Sequence, residues 1–127
     1  MSKTAVASPD APAAIGPYSP AIQAGDLVFV SGQMPVDPAT GNIVPGTAAD
    51  QARQCLTNVA TLIKAAGLTM DAVVKTTVFI KDMDAFAAIN AVYAEFFKEP
   101  FPARSCVEVA RLPRDVQVEV EVIAKRG

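Results

Sequence analysis

The chain has 127 residues, 51% of them apolar, and a net charge of −2, which suits one domain with its own core and argues against a disordered chain. Its 11 lysines and arginines are scattered, so no basic stripe marks a nucleic-acid surface. It has no histidine, which excludes Ser-His-Asp and Cys-His catalysis and removes the commonest metal ligand.

Acid–base chemistry near neutral pH therefore falls to Asp, Glu, Tyr, Lys, Cys or bound water. Cys55 and Cys106 form neither a CxxC pair nor a metal-ligand cluster, so they are expected as free thiols and no metal is expected. The N-terminus, "MSKTAVASPDAPAA", lacks the apolar run of a signal peptide, and no later stretch reaches the length of a membrane span. The expected setting is cytoplasmic, with no membrane partner.

Seven of the ten prolines fall before residue 46, so residues 1–20 are predicted to be irregular or extended, with little regular pairing. "AIQAGDLVFVS" predicts a hairpin, with strands at Ala21–Ala24 and Leu27–Ser31 joined by Gly25-Asp26. "PVDPATGNIVPG" is a loop. Thr47 and Asp50 resemble a capping box, and Ala52, Leu56, Val59, Ala60, Ile63 and Ala66 follow at helical spacing to a stop at Gly67. "AVVKTTVFIKD" alternates as a strand, with Val74, Thr76, Val78 and Ile80 on one face. Asp84 is expected to cap a second helix, whose Phe86, Ile89, Tyr93, Phe96 and Phe97 form an aromatic core stripe ended by Pro100 and Pro102. Strands at Ala103–Val109 and Val116–Ala124 close a ββαβαββ order in a single domain, 1–127, with residues 1–13 an extended N-terminal segment.

In the last strand, Val116, Val118, Val120 and Val122 are expected to meet the helices. The opposite face is expected to gather Arg104, Cys106, Glu108, Glu119 and Glu121. Arg104 beside a carboxylate reads either as a solvated cross-strand pair or as a bidentate anchor for a ligand carboxylate or phosphate, in which case Glu119 could position a water. Cys106 reads as a small buried residue or, with Arg104 beside it, as a nucleophile lacking a histidine to activate it. Tyr18, between two prolines, either covers a ligand or staples the N-terminal segment.

"IGPYSPAI", "VSGQMPVDPATG", "VVKTTVFIKDM" and "FPARSCVEVARLPRDVQVEVEVIA" together resemble the RidA family, also called YjgF, from about Ala14 to the C-terminus. That resemblance implies an α+β, chorismate-mutase-like ββαβαββ fold, with one mixed sheet, two helices on one face, and three subunits closing a barrel. It implies sites in the clefts of a homotrimer that hydrolyse 2-imino acids, formed from enamines such as 2-aminoacrylate, to 2-keto acids and ammonia, without metal or organic cofactor. This protects pyridoxal-phosphate enzymes. By the same resemblance Arg104 holds the substrate carboxylate, Glu119 holds or activates water, Tyr18 closes the cleft, backbone near Gly32 and Cys106 contacts substrate, and Asn90 lies near the site. The alternatives are a non-catalytic carboxylate-binding or regulatory protein, and a ribonuclease or translation inhibitor.

Overall fold

Thr47 begins the first helix through a closed capping box: the Asp50 amide donates to Thr47 Oγ1 at 3.2 Å, and the Thr47 amide donates to Asp50 Oδ2 at 2.9 Å. Two of the helix's orphan donors are thereby satisfied. This pair is part of a computed structural model that describes residues 2–127. Met1, the first residue of the expected extended segment, lies outside them. The elements are β1 (Thr4–Val6), β2 (Ala21–Ala24), β3 (Leu27–Gln33), α1 (Ala48–Ala65), β4 (Val73–Ile80), α2 (Phe86–Ala94), β5 (Ala103–Glu108) and β6 (Val118–Lys125).

The six strands make one sheet in the order β1-β2-β3-β6-β4-β5. Only β4 and β5 run parallel, joined by the α2 crossover, and every other pair is antiparallel. The expected mixed-sheet ββαβαββ order is present, preceded by one further strand. Thr4, Ala5 and Val6 pair with Gln23, Ile22 and Ala21, which corrects the expectation of little pairing in residues 1–20. Prolines begin only at Pro9, so the segment before them retains its N–H donors.

Both helices cover one face. Val118, Val120 and Val122 are fully buried there with Leu56, Val59 and Leu62 from α1. Gly67 takes a left-handed φ of 81°, which stops α1. A register shift between Val73 and Lys75 buries Val73 and exposes Val74, so Val74 leaves the face it was expected to share with Thr76, Val78 and Ile80. Asp82, not Asp84, supplies the cap before α2: its carboxylate accepts the Asp84 amide at 2.9 Å, and α2 itself starts after Ala85 with no side-chain cap.

The pairing register also corrects the expected faces. Arg104, Cys106 and Glu108 stand opposite Thr76, Val78 and Ile80, which stand opposite the buried Val122, Val120 and Val118. Paired residues share a face. Arg104, Cys106 and Glu108 therefore lie on the helix side of the sheet, whereas Glu119 and Glu121, paired with Phe79 and Thr77, lie on the open side. Alternation shows which residues of a strand share a face, and the register with the neighbour decides which face that is.

Candidate active site

The expected site residues fall into two groups on opposite faces of the sheet. The first surrounds Arg104, on the edge strand β5 just past Pro100 and Pro102. Its Nη1 donates to Asn90 Oδ1 at 2.6 Å. Its Cζ lies 4.7 Å from the Tyr93 ring centroid and 5.5 Å from that of Phe86. Phe86, Asn90 and Tyr93 are spaced i, i+4, i+7 and so share one face of α2. Tyr93 is fixed in turn by a 2.8 Å hydrogen bond between its hydroxyl and Thr76 Oγ1, and by Phe97 at 4.6 Å between ring centroids.

The guanidinium is thus held from one side by rings and an amide oxygen. Among the described residues it has no carboxylate within ion-pair distance. With Asn90, Tyr93 and Phe101 it lines a depression of about 400 Å³. A free planar fork of this kind fits a carboxylate. Sequence reading assigned the aromatic stripe to the core alone. Ile89, Tyr93 and Phe97 are core, but Tyr93 and Phe86 also form the platform under Arg104, and the i+4 position of Asn90 from Phe86 was the available signal.

Cys106 follows two residues later and packs partly against the core. Burial pushes its thiol pKa up, and the nearby Arg104 charge only partly opposes this. A thiol held protonated is a poor nucleophile. Glu108 accepts the Met83 amide at 2.7 Å, which fastens the end of β5 to the approach to α2.

The second group surrounds Glu119 on the open face. A register shift in β3 between Val30 and Gln33 places Gly32 against this side chain. A Cβ on Gly32 would overlap the Glu119 carboxylate, so the carboxylate occupies the space that glycine leaves. Burial raises the Glu119 pKa first, and the charge of Glu121 raises it further. Ser31 anchors the preceding segment, its Oγ donating to Ser19 O at 2.7 Å and its amide to Pro20 O at 2.9 Å. This sets Tyr18, about half exposed, beside Gly32 and Glu119 in a depression of about 540 Å³. Arg114, which sequence reading passed over, lines the same depression.

One group is a fixed cation with free donors, and the other is a partly desolvated carboxylate. Tyr18, Gly32 and Glu119 come together, as do Asn90, Arg104 and Cys106, but a single chain does not join the two. Among the described residues no three His, Cys, Asp or Glu side chains cluster as metal ligands. No helix there is long and apolar enough to cross a membrane.

Comparison with known proteins gives consistent matches. The family model for endoribonuclease L-PSP matches residues 8–126. The 2-iminobutanoate/2-iminopropanoate deaminase of Escherichia coli K12 is 56% identical over 129 aligned positions, covering 99% of each chain. A RutC family protein of Haemophilus influenzae is 61% identical over 120 positions, covering 91% of this chain and 92% of its own. Among solved structures, E. coli TdcF with bound serine superposes with a TM-score of 0.92 at 50% identity, covering 98% of this chain and 99% of its own. A Thermotoga maritima protein described as an endoribonuclease superposes with a TM-score of 0.95 at 45% identity, covering 98% of both chains.

Proposed function

Because the chain belongs to the endoribonuclease L-PSP family, which includes the RidA/YjgF proteins, we propose that it is a 2-iminobutanoate/2-iminopropanoate deaminase that hydrolyses small 2-imino acids to 2-keto acids and ammonia. The observation that carries this reading is the Arg104 fork, held by Asn90 and two rings and left free of any protein carboxylate among the described residues. The relative solved with serine, an amino acid with an α-carboxylate, supports such a ligand.

On this reading Arg104 takes the α-carboxylate of the imino acid. Glu119, as the ionised carboxylate, accepts a proton from a water as its oxygen bonds to the imine carbon. The raised pKa makes Glu119 a better base than an ordinary surface carboxylate and a competent donor to the departing nitrogen. Glu119 returns that proton to the nitrogen of the carbinolamine, then takes the hydroxyl proton as the C=O bond forms, the C–N bond breaks and ammonia leaves. An iminium carbon is already electrophilic, so orientation and electrostatics suffice and no covalent nucleophile is needed. The protonated state of Cys106 agrees with that assignment. Tyr18 covers the water side of the substrate.

Arg104 and Glu119 lie on opposite faces of one sheet. We therefore infer that the working site joins the Glu119 group to Arg104 of the partner subunit, in a homotrimer. The setting proposed for it is the cytoplasm, near the pyridoxal-phosphate enzymes that release such enamines.

Complementation tests both statements. Generate 2-aminoacrylate with a dehydratase and follow pyruvate. Arg104→Ala and Glu119→Gln are each expected to abolish the acceleration. Co-refolding the two inactive variants in equal amounts is expected to restore about a quarter of the sites if they are shared between neighbours by random assembly. No acceleration by the folded wild-type protein would reject the deaminase reading and leave a carboxylate-binding protein. Acceleration by the wild type without recovery in the mixture would reject the shared site.

A further inference from the structure

A further depression adjoins that of the Glu119 group. It has a volume of about 230 Å³ and shares Ile15, Tyr18, Gly32, Met34 and Arg114 with the Glu119 depression. Arg114 thus stands where the two meet. Its backbone is left-handed, with φ 57° and ψ 18°, and Asp115 follows with φ 55°. Residues with a Cβ seldom adopt this conformation, and a turn that holds two in succession is imposed by its surroundings.

The turn separates the roles of three charged side chains. Arg111 and Asp115 satisfy each other through a two-point pair at 2.8 and 3.2 Å. Arg114 has no carboxylate partner among the described residues. Its two terminal nitrogens make only long contacts, 3.4 and 3.5 Å, to Gly41 O. Arg53, by contrast, is met by both oxygens of Glu95 at 2.8 and 3.0 Å. Arg114 therefore offers spare donors in a fork suited to a carboxylate, in the wall of the depression that Glu119 also lines.

Building on the deaminase reading, we propose that Arg114 determines specificity by binding the distal carboxylate of dicarboxylic 2-imino acids, while Arg104 of the partner subunit holds the α-carboxylate. Glu119 and Glu121 line the same depression and oppose a second negative charge there. Arg114 offsets that repulsion, so its removal changes the preference between dicarboxylic and monocarboxylic ligands and not only the overall affinity.

The test uses the stable keto acids 2-oxoglutarate and 2-oxobutanoate as calorimetric probes of the wild type, Arg114→Asn and Arg114→Lys. Asparagine tolerates the left-handed backbone, so that variant keeps the turn while losing the guanidinium. The ratio of the two dissociation constants is expected to move against 2-oxoglutarate by at least about tenfold in Arg114→Asn, and by less in Arg114→Lys, which keeps the charge without the fork. A ratio within about twofold of wild type in Arg114→Asn, or equal weakening of both ligands, would overturn the proposal. Hydrolysis of the matching imines is measured in parallel. If neither imine is hydrolysed, the deaminase reading fails, and the binding ratio still decides the role of Arg114.

Discussion

The Arg104 and Glu119 groups reach readiness by opposite means. Arg104 is held by contacts: an amide oxygen at 2.6 Å and a ring at 4.7 Å, the ring itself locked by Thr76. Glu119 is held by an absence, since its carboxylate fills the space where a Gly32 side chain would be. A cation supported by several partners should lose function by degrees as those partners are removed. A carboxylate seated in a gap should tolerate little, because one added carbon displaces it. The burial that tunes Glu119 also works against the folded state, because it opposes the charged form.

The largest effect that sharpens this contrast belongs to Glu119→Gln. Loss of the base is expected to lower kcat by roughly 10²- to 10⁴-fold. The same variant should be more stable than wild type at pH 7. The pKa of Glu119 is raised by folding, so its ionisation opposes folding: the penalty is full above that pKa, fades as pH falls through it, and is gone below the ordinary carboxyl value. Thermal melts at pH 7 and pH 4 check the sign, with the gain from glutamine expected only at the higher value. The wild-type kcat/KM should fall on the acid side at a pH above the ordinary glutamate range. A limb at or below that range would separate Glu119 from the proton transfer.

Gly32→Ala comes next. The Cβ must push the Glu119 carboxylate aside, and a misplacement of about 1 Å can reduce rate by roughly 10²-fold. Binding of 2-oxobutanoate should weaken far less than kcat falls, because Arg104 is untouched. A near-normal kcat would show that Glu119 has room to retreat without losing its place. Asn90→Ala removes one support from Arg104 and leaves the rings. A charge-assisted hydrogen bond is worth about 1.5–3 kcal/mol, which sets an upper loss of roughly 10- to 100-fold in kcat/KM. The loss is expected near the lower end and chiefly in KM.

How much of this was legible in sequence differs between the two groups. The capping box at Thr47, the β4 alternation and the valine face of β6 could be read directly, because each depends on neighbours along one element. Arg104, Glu119 and Tyr18 are singled out by residue type and position, and Asn90 and Gly32 are named through the family motifs. Their grouping was not legible. Whether Arg104 faces the same way as Glu119 depends on the parallel register of β5 with β4 and on the antiparallel register of β4 with β6. A one-residue change in register reverses a face, and no single strand records its partner's register. The left-handed turn at Arg114 lacked a signal for a similar reason. Arginine does not announce that conformation, and Asp115, although aspartate tolerates it, does not mark two such residues in succession.

The smallest expected effect tests the boundary between the two groups. Cys106 sits in β5 two residues beyond Arg104, and its neighbours on the strand suggest a reactive thiol. Its surroundings argue otherwise: burial raises the pKa more than Arg104 lowers it, so at neutral pH the sulfur remains protonated. Its contribution to the site is then the strand backbone, which serine preserves, and the packing of one small side chain against the core. Cys106→Ser is expected to keep kcat/KM within about threefold of wild type, because less than about 0.7 kcal/mol of transition-state stabilisation is at stake. An alkylating reagent should label Cys106 slowly at pH 7 and faster as pH rises. Loss of activity in the serine variant comparable to that of Arg104→Ala, with the fold intact, would place the thiol among the reacting groups and break the division of labour between a cation held by contacts and a carboxylate held by a gap.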